Sequence, residues 1–161
     1  MILMQFSHSG EILRAYGGAY RATCHVRNEL NGERKLHVKK EVVYAMTGDR
    51  GDKIPYMPRR FPLGRFEVFK PQERSSRFLK PLYIPTKAKQ LVTVWELDEN
   101  GGYDHATTER VMDHGYGVHC SEDPNTWGCI RMNSPTDIYS LCNKLFMTFR
   151  QEEPVFIDVV E

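Results

Sequence analysis

The chain has 161 residues, 40% of them hydrophobic and 27% charged, with a formal net charge of +1. That is enough chain to bury one core without disulfide staples, and too small a charge imbalance for a dedicated nucleic-acid surface. No apolar run approaches the roughly 20 residues needed to cross a bilayer, so no membrane span is expected. The opening MILMQFSHSG has no charged leader and its apolar run stops early, so the expectation is a chain made in the cytoplasm without a cleaved signal peptide. Cys24, Cys120, Cys129 and Cys142 are irregularly spaced with no CxxC pair. This argues against a structural zinc site and, without a secretory signal, against a disulfide framework. Cys24 and Cys142 read as small buried hydrophobes.

In chain order, Met1 to Ser7 is β-prone, and His8-Ser9-Gly10 turns it into Glu11 to Tyr16, an opening hairpin. Gly17-Gly18 interrupts, and Tyr20 to Arg27 reads as a third strand. Asn31-Gly32 is a strong hairpin signal leading into a strand from Lys35 to Met46. Thr47 to Arg60 is polar and bears Gly and Pro, the composition of a surface loop. Phe61-Pro62-Leu63-Gly64-Arg65 opens a strand over Phe66 to Phe69. Lys70 to Lys89, interrupted by Pro71, Pro81 and Pro85, is expected to be irregular, with residues 70–90 a lid or insertion. Leu91 to Leu97 is the most β-like run, closed by Asn100-Gly101-Gly102, and Ala106 to Asp113 is open between strand and short helix.

After Cys129 the pattern changes. Ser134-Pro135-Thr136-Asp137 is a helix start: a hydroxyl cap, proline at the first position and an early acid. Ile138, Leu141, Cys142, Leu145 and Phe149 recur at helical spacing and form one apolar face. Pro154 ends the helix, and Val155 to Val160 is a closing strand. The expected fold is one mostly-β domain over residues 1–161, with a single helix in its C-terminal half packed on the β-structure.

The chemistry concentrates in Val118 to Met132, VHCSEDPNTWGCIRM. A histidine and a cysteine joined by a short loop, with glycine and arginine beside the cysteine, are the parts of a thiolate nucleophile site. A neighbouring imidazolium can draw a thiol pKa down from about 8.5 to roughly 3.5–7.5. Gly128 allows close backbone approach or a positive φ, and Arg131 offers a planar charged fork suited to a carboxylate.

Thr126, Gly128, Cys129 and Arg131 match position by position the Ser/Thr-x-Gly-Cys-x-Arg signature of the L,D-transpeptidase catalytic domain family, which this segment resembles. Thr47-Gly48 and Phe61-Pro62-Leu63-Gly64-Arg65-Phe66 look like that family's upstream segments, so the resemblance covers about Val42 to Leu145. Two features depart from the long form of the motif. Trp127 stands where a histidine usually precedes Gly-Cys, and only nine residues separate His119 from Cys129. Shorter-loop relatives include peptidoglycan-targeting effectors of type VI secretion, whose opening also resembles FSHSGEIL.

The resemblance implies an L,D-transpeptidase-like β-sandwich and a reaction on peptidoglycan stem peptides without a cofactor. In that reading Cys129 is the nucleophile and His119 the base, with His114 of His114-Gly115 the other candidate. Gly128 with Cys129 supplies the oxyanion hole, and Arg131 orients the loop or a substrate carboxylate. Thr126, Trp127 and His114 fall to the substrate side. The acceptor is an amine (transpeptidation) or water (carboxypeptidation), and the residues leave both open. The wall substrate implies action in the periplasm or cell wall after delivery by a secretion apparatus or phage, with an immunity protein or delivery apparatus as further partners. Two other readings stand beside it: a zinc site built from His114, His119, Cys120 and Cys129, and an inactive peptidoglycan-binding domain of a phage or secretion particle.

Overall fold

The computed structural model describes residues 1–26, 53–55, 59–73, 82–97 and 103–161. The chain opens with the expected hairpin, β1 (Ile2–Ser7) antiparallel to β2 (Ile12–Ala15). A tight turn follows at Tyr16 and Gly17, whose φ values of 53° and 74° match the twist of the flanking strands. It leads straight into β3 (Gly18–Thr23), and β4 (His25–Val26) is a short continuation.

β6 (Gly64–Val68) runs antiparallel to the closing strand β14 (Val155–Val160), which itself lies parallel to β1. β7 (Gln72–Glu73), β8 (Leu82–Pro85), β11 (Gly117–His119) and β13 (Ile130–Met132) complete a nine-stranded sheet ordered β6-β14-β1-β2-β3-β13-β11-β8-β7. The sheet curls until its ends meet. Val68 bridges Thr86, Phe69 N–H donates to the Pro85 carbonyl at 2.9 Å, and Lys87 N–H donates to the Glu67 carbonyl at 2.9 Å. The two layers of the expected sandwich are thus opposite walls of one curled sheet, and pairing its ends removes exposed strand edges.

One helix is seen among the described residues, α1 (Pro135–Arg150). Its start is the one read from sequence: the Ser134 hydroxyl accepts from Asp137 N–H at 3.4 Å, proline opens the helix, and Asp137 lies in the first turn. Ile138, Leu141, Cys142 and Leu145 are fully buried in a core shared with Met4, Phe6, Leu13, Ile84, Val118, Ile130, Met132 and Ile157. Burying each of the larger aliphatic side chains contributes about 2 kcal/mol. A separate sheet of β5 (Lys53–Pro55), β9 (Gln90–Leu97) and β10 (Tyr103–Asp113) packs Val92, Val94 and Val111 together.

Three expectations change. Lys53–Pro55, inside the stretch read as a loop, is strand β5 paired with β9. Leu82–Pro85, inside the stretch read as irregular and lid-like, is strand β8, between β11 and β7. The prolines sit at or beyond its ends, while Ile84 is wholly buried between them, so apolar burial outweighs the proline signal. Ala106 to Asp113 is strand, paired along β9. The Asn31-Gly32 hairpin, the Lys35 to Met46 strand and the Asn100-Gly101-Gly102 turn lie outside the described residues.

Candidate active site

β11 and β13 are parallel neighbours, with Val118 level with Ile130 and His119 level with Arg131. Parallel strands need a crossover, commonly a dozen residues or more; here residues 120–129 make the whole return. The loop is held at many points. Arg131 Nε donates to the Ser121 carbonyl at 2.9 Å, Ser121 Oγ donates to the Asp123 carbonyl at 3.1 Å, and Asn125 N–H donates to Asp123 Oδ1 at 2.9 Å. β12 (Asn125–Thr126) pairs with β4. Thr126 is buried, and its Oγ1 donates to the Cys129 carbonyl at 2.8 Å while accepting from Gly128 N–H at 3.1 Å. Thr126, expected on the substrate side, is buried and holds the turn that carries Cys129, and Arg131 pins the loop.

Gly128 has φ 123°, and a Cβ there would lie 2.4 Å from the Arg59 carbonyl oxygen and 2.6 Å from Tyr116 Cε1. No other residue fits. Its carbonyl accepts from the Cys24 thiol at 3.3 Å, and Cys24 Sγ accepts from Phe61 N–H at 3.4 Å. Cys24, packed against the core, is thus also a polar strut beneath the Cys129 turn, which its reading as a plain buried hydrophobe left out. Burial pushes its thiol up to about 11, so it stays protonated and donating. A trans peptide sets its carbonyl and N–H in opposite directions, so the Cys129 N–H points away from Cys24.

Cys129 follows this turn, level with Gly117 by continuation of the β11–β13 register. Its thiol donates to the Gly115 carbonyl at 3.6 Å and lies within reach of the Gly117 backbone and the Tyr83 hydroxyl. The side chain keeps some surface open, yet its dense surroundings push the thiol up to about 12, with the Gly117 and Tyr83 hydrogen bonds opposing that rise. The expected low-pKa thiolate is therefore not the resting form; desolvation dominates.

His119 is buried on β11, two residues beyond Gly117 and so on the same strand face. It is level with Arg131 on one side and Tyr83 on the other, and its ring stacks on Tyr83 at 6.4 Å between centroids and 21° between planes. His114 is exposed just past the end of β10, and Trp127 is half-buried in the loop. Val118 and Cys120, flanking His119, are wholly buried in the core on the opposite face. Among the described residues, no group of three or more His, Cys, Asp or Glu side chains is placed to hold a metal ion.

Sequence reasoning passed over a second layer. Tyr116 stands against Gly128, donates to Asp113 Oδ2 at 2.7 Å, and accepts from Gln90 Nε2 at 2.9 Å. Asp113 is buried, its Oδ1 has no hydrogen-bond partner, and burial raises its carboxyl to about 6. Tyr83 and Gly117 belong to the same layer. The local signal was Gly115-Tyr116-Gly117, two glycines around an aromatic just before His119, which marks a close backbone approach. No family model, curated protein or solved structure matches this chain.

Proposed function

We propose that this chain is a cysteine acyltransferase of peptidoglycan stem peptides, working as an L,D-transpeptidase, an L,D-carboxypeptidase or both. The observation that carries this reading is the short parallel crossover. It brings the two halves of the motif onto neighbouring strands, with Cys129 level with Gly117 and His119 on the same face. The levels of Cys129 and His119 differ by two residues, about 7 Å along the strand axis. The thiol rests toward the Gly115 carbonyl, so in this reading it turns about its Cα–Cβ bond to meet the imidazole.

Cys129 Sγ attacks the carbonyl between the third-position diamino acid and the terminal D-alanine. His119 takes the thiol proton as the S–C bond forms, then delivers it to the nitrogen of the departing D-alanine as the C–N bond breaks. Because the resting thiol is neutral, proton removal accompanies attack; no standing ion pair is required. The Cys129 N–H, which points away from Cys24, is in this reading an oxyanion donor of a kind worth about 2.7–4 kcal/mol. The thioester then passes to an amine or to water, releasing the thiol. A wall substrate places this work in the periplasm or cell wall after delivery, with a delivery apparatus and an immunity protein as partners.

The test is a Cys129→Ala chain beside wild type on disaccharide-tetrapeptide, followed by mass spectrometry. Trimming or exchange of the terminal residue should fall by more than about a thousandfold. Equal activity in the two chains would sink the cysteine mechanism.

A further inference from the structure

Tyr83 reaches the nucleophile from the far side of its neighbouring strand. It is level with His119 on β8, yet its ring leans back over β11 at Gly117, where a Cβ would lie 2.3 Å from Tyr83 Cζ and 2.4 Å from its hydroxyl oxygen. Only glycine at 117 leaves that path open. At the end of it, the Tyr83 hydroxyl donates to the Gly115 carbonyl at 2.9 Å, the same oxygen that accepts from the Cys129 thiol at 3.6 Å. Two donors converging on one carbonyl bring the phenol oxygen and the sulfur side by side.

We propose that Tyr83 is a catalytic residue of this site, whose hydroxyl swings its proton from the Gly115 carbonyl to the Cys129 sulfur when the thiol is deprotonated, and so holds the thiolate. The exchange balances without any further group. In the resting state the thiol proton and the phenol proton both point at the Gly115 carbonyl oxygen. When the base removes the thiol proton, the sulfur changes from donor to acceptor. The phenol O–H, which has a free torsion about its C–O bond, turns to it and leaves the carbonyl. The Gly117 N–H, already at the sulfur, is the second donor to the same charge. Hydrogen bonds to an ionised acceptor are roughly twice as strong as neutral ones, so the pair acts mainly on the charged form. The ring stack of His119 on Tyr83 also sets the imidazole plane, so one side chain positions the base and cradles the nucleophile.

This inference rests on Cys129 being the nucleophile, and its test needs no peptidoglycan. Alkylation of Cys129 by iodoacetamide, read by peptide mass mapping across pH in the intact chain, reports how readily the thiolate forms. Tyr83→Phe should slow Cys129 alkylation about tenfold at pH 8 and move the profile about one pH unit upward. Placing 3-fluorotyrosine at position 83 alone preserves the packing and strengthens the donor while the phenol stays protonated, so at about pH 7 and below it should speed Cys129 alkylation. A profile that stays put in both chains overturns the proposal. A Tyr83-dependent thiol in a wild-type chain that leaves the tetrapeptide untouched would instead count against the substrate alone.

Discussion

The two faces of β8, β11 and β13 are made from alternate residues of the same three short strands, and they obey different rules. Inward, Ile84, Val118 and Ile130 are wholly buried and pack against α1 and the opposite wall. Outward, Tyr83, His119 and Arg131 stand level, with Gly117 and Cys129 two residues back along the strands. The inner face asks for apolar volume, and many side chains of similar size would satisfy it. The outer face asks for particular atoms at particular separations, and at Gly117 even a methyl group is excluded.

Truncating the inner face should separate stability from chemistry most widely. Ile130→Ala leaves a cavity in the curled sheet and should cost about 4 kcal/mol in urea unfolding, while Cys129 keeps its alkylation profile in the remaining folded protein. A loss under about 1 kcal/mol would mean the two faces do not divide the labour in this way. Gly128→Ala attacks the turn that presents Cys129 to the outer face instead. Its methyl meets the Arg59 carbonyl and the Tyr116 ring, and its φ of 123° is strained for any L-residue. About 3 kcal/mol of stability and most of the Cys129 alkylation rate should go together. A fully active Gly128→Ala chain would show that the turn is not held as described.

The smallest effect has the opposite sign. Asp113 is raised from 3.8 to about 6 by burial, so the folded state holds that proton more tightly than the unfolded chain. Its contribution makes the protein less stable as pH rises from about 4 to about 6, with the loss fully present above that. Asp113→Asn keeps an acceptor for Tyr116 and removes the buried charge. It should gain about 1–2 kcal/mol at pH 8 and nothing at pH 4, seen as a difference between the two chains in urea titrations. Asp158 and Glu161 are shifted downward by surface pairs with Arg65 and Arg60 and run the other way. Both chains share them, so they cancel in the difference. A gain that does not change with pH would refute the assignment.

Local signals were legible wherever a feature is made by residues close in sequence. The Ser134 cap, Pro135 and the stripe from Ile138 to Leu145 placed α1; the opening hairpin and β14 were read from alternation and turn residues. Thr126-Trp127-Gly128-Cys129 announced a tight turn for the same reason. β8 was missed because Pro81 and Pro85 speak against a strand locally, while the burial of Ile84 that favours one is set by distant strands. Tyr83, Tyr116 and the strut role of Cys24 were missed because their contacts with Gly115, Gln90, Gly128 and Phe61 span roughly a dozen to more than a hundred residues of sequence. Asp113 bonds Tyr116 only three residues on, yet the pairing of β10 with β9 that buries it is equally remote.

By itself the sequence determined a mostly-β chain, one capped helix and a cysteine on a glycine turn near a histidine, because periodicity, capping and turn chemistry act within a few residues. Only the tertiary structure decided that β1 lies parallel to β14, that β11 takes β13 as its parallel neighbour, and that Tyr83 crosses Gly117 to reach Cys129. Those choices follow from which apolar faces bury together in the curled sheet, a property of the whole chain that no short stretch carries.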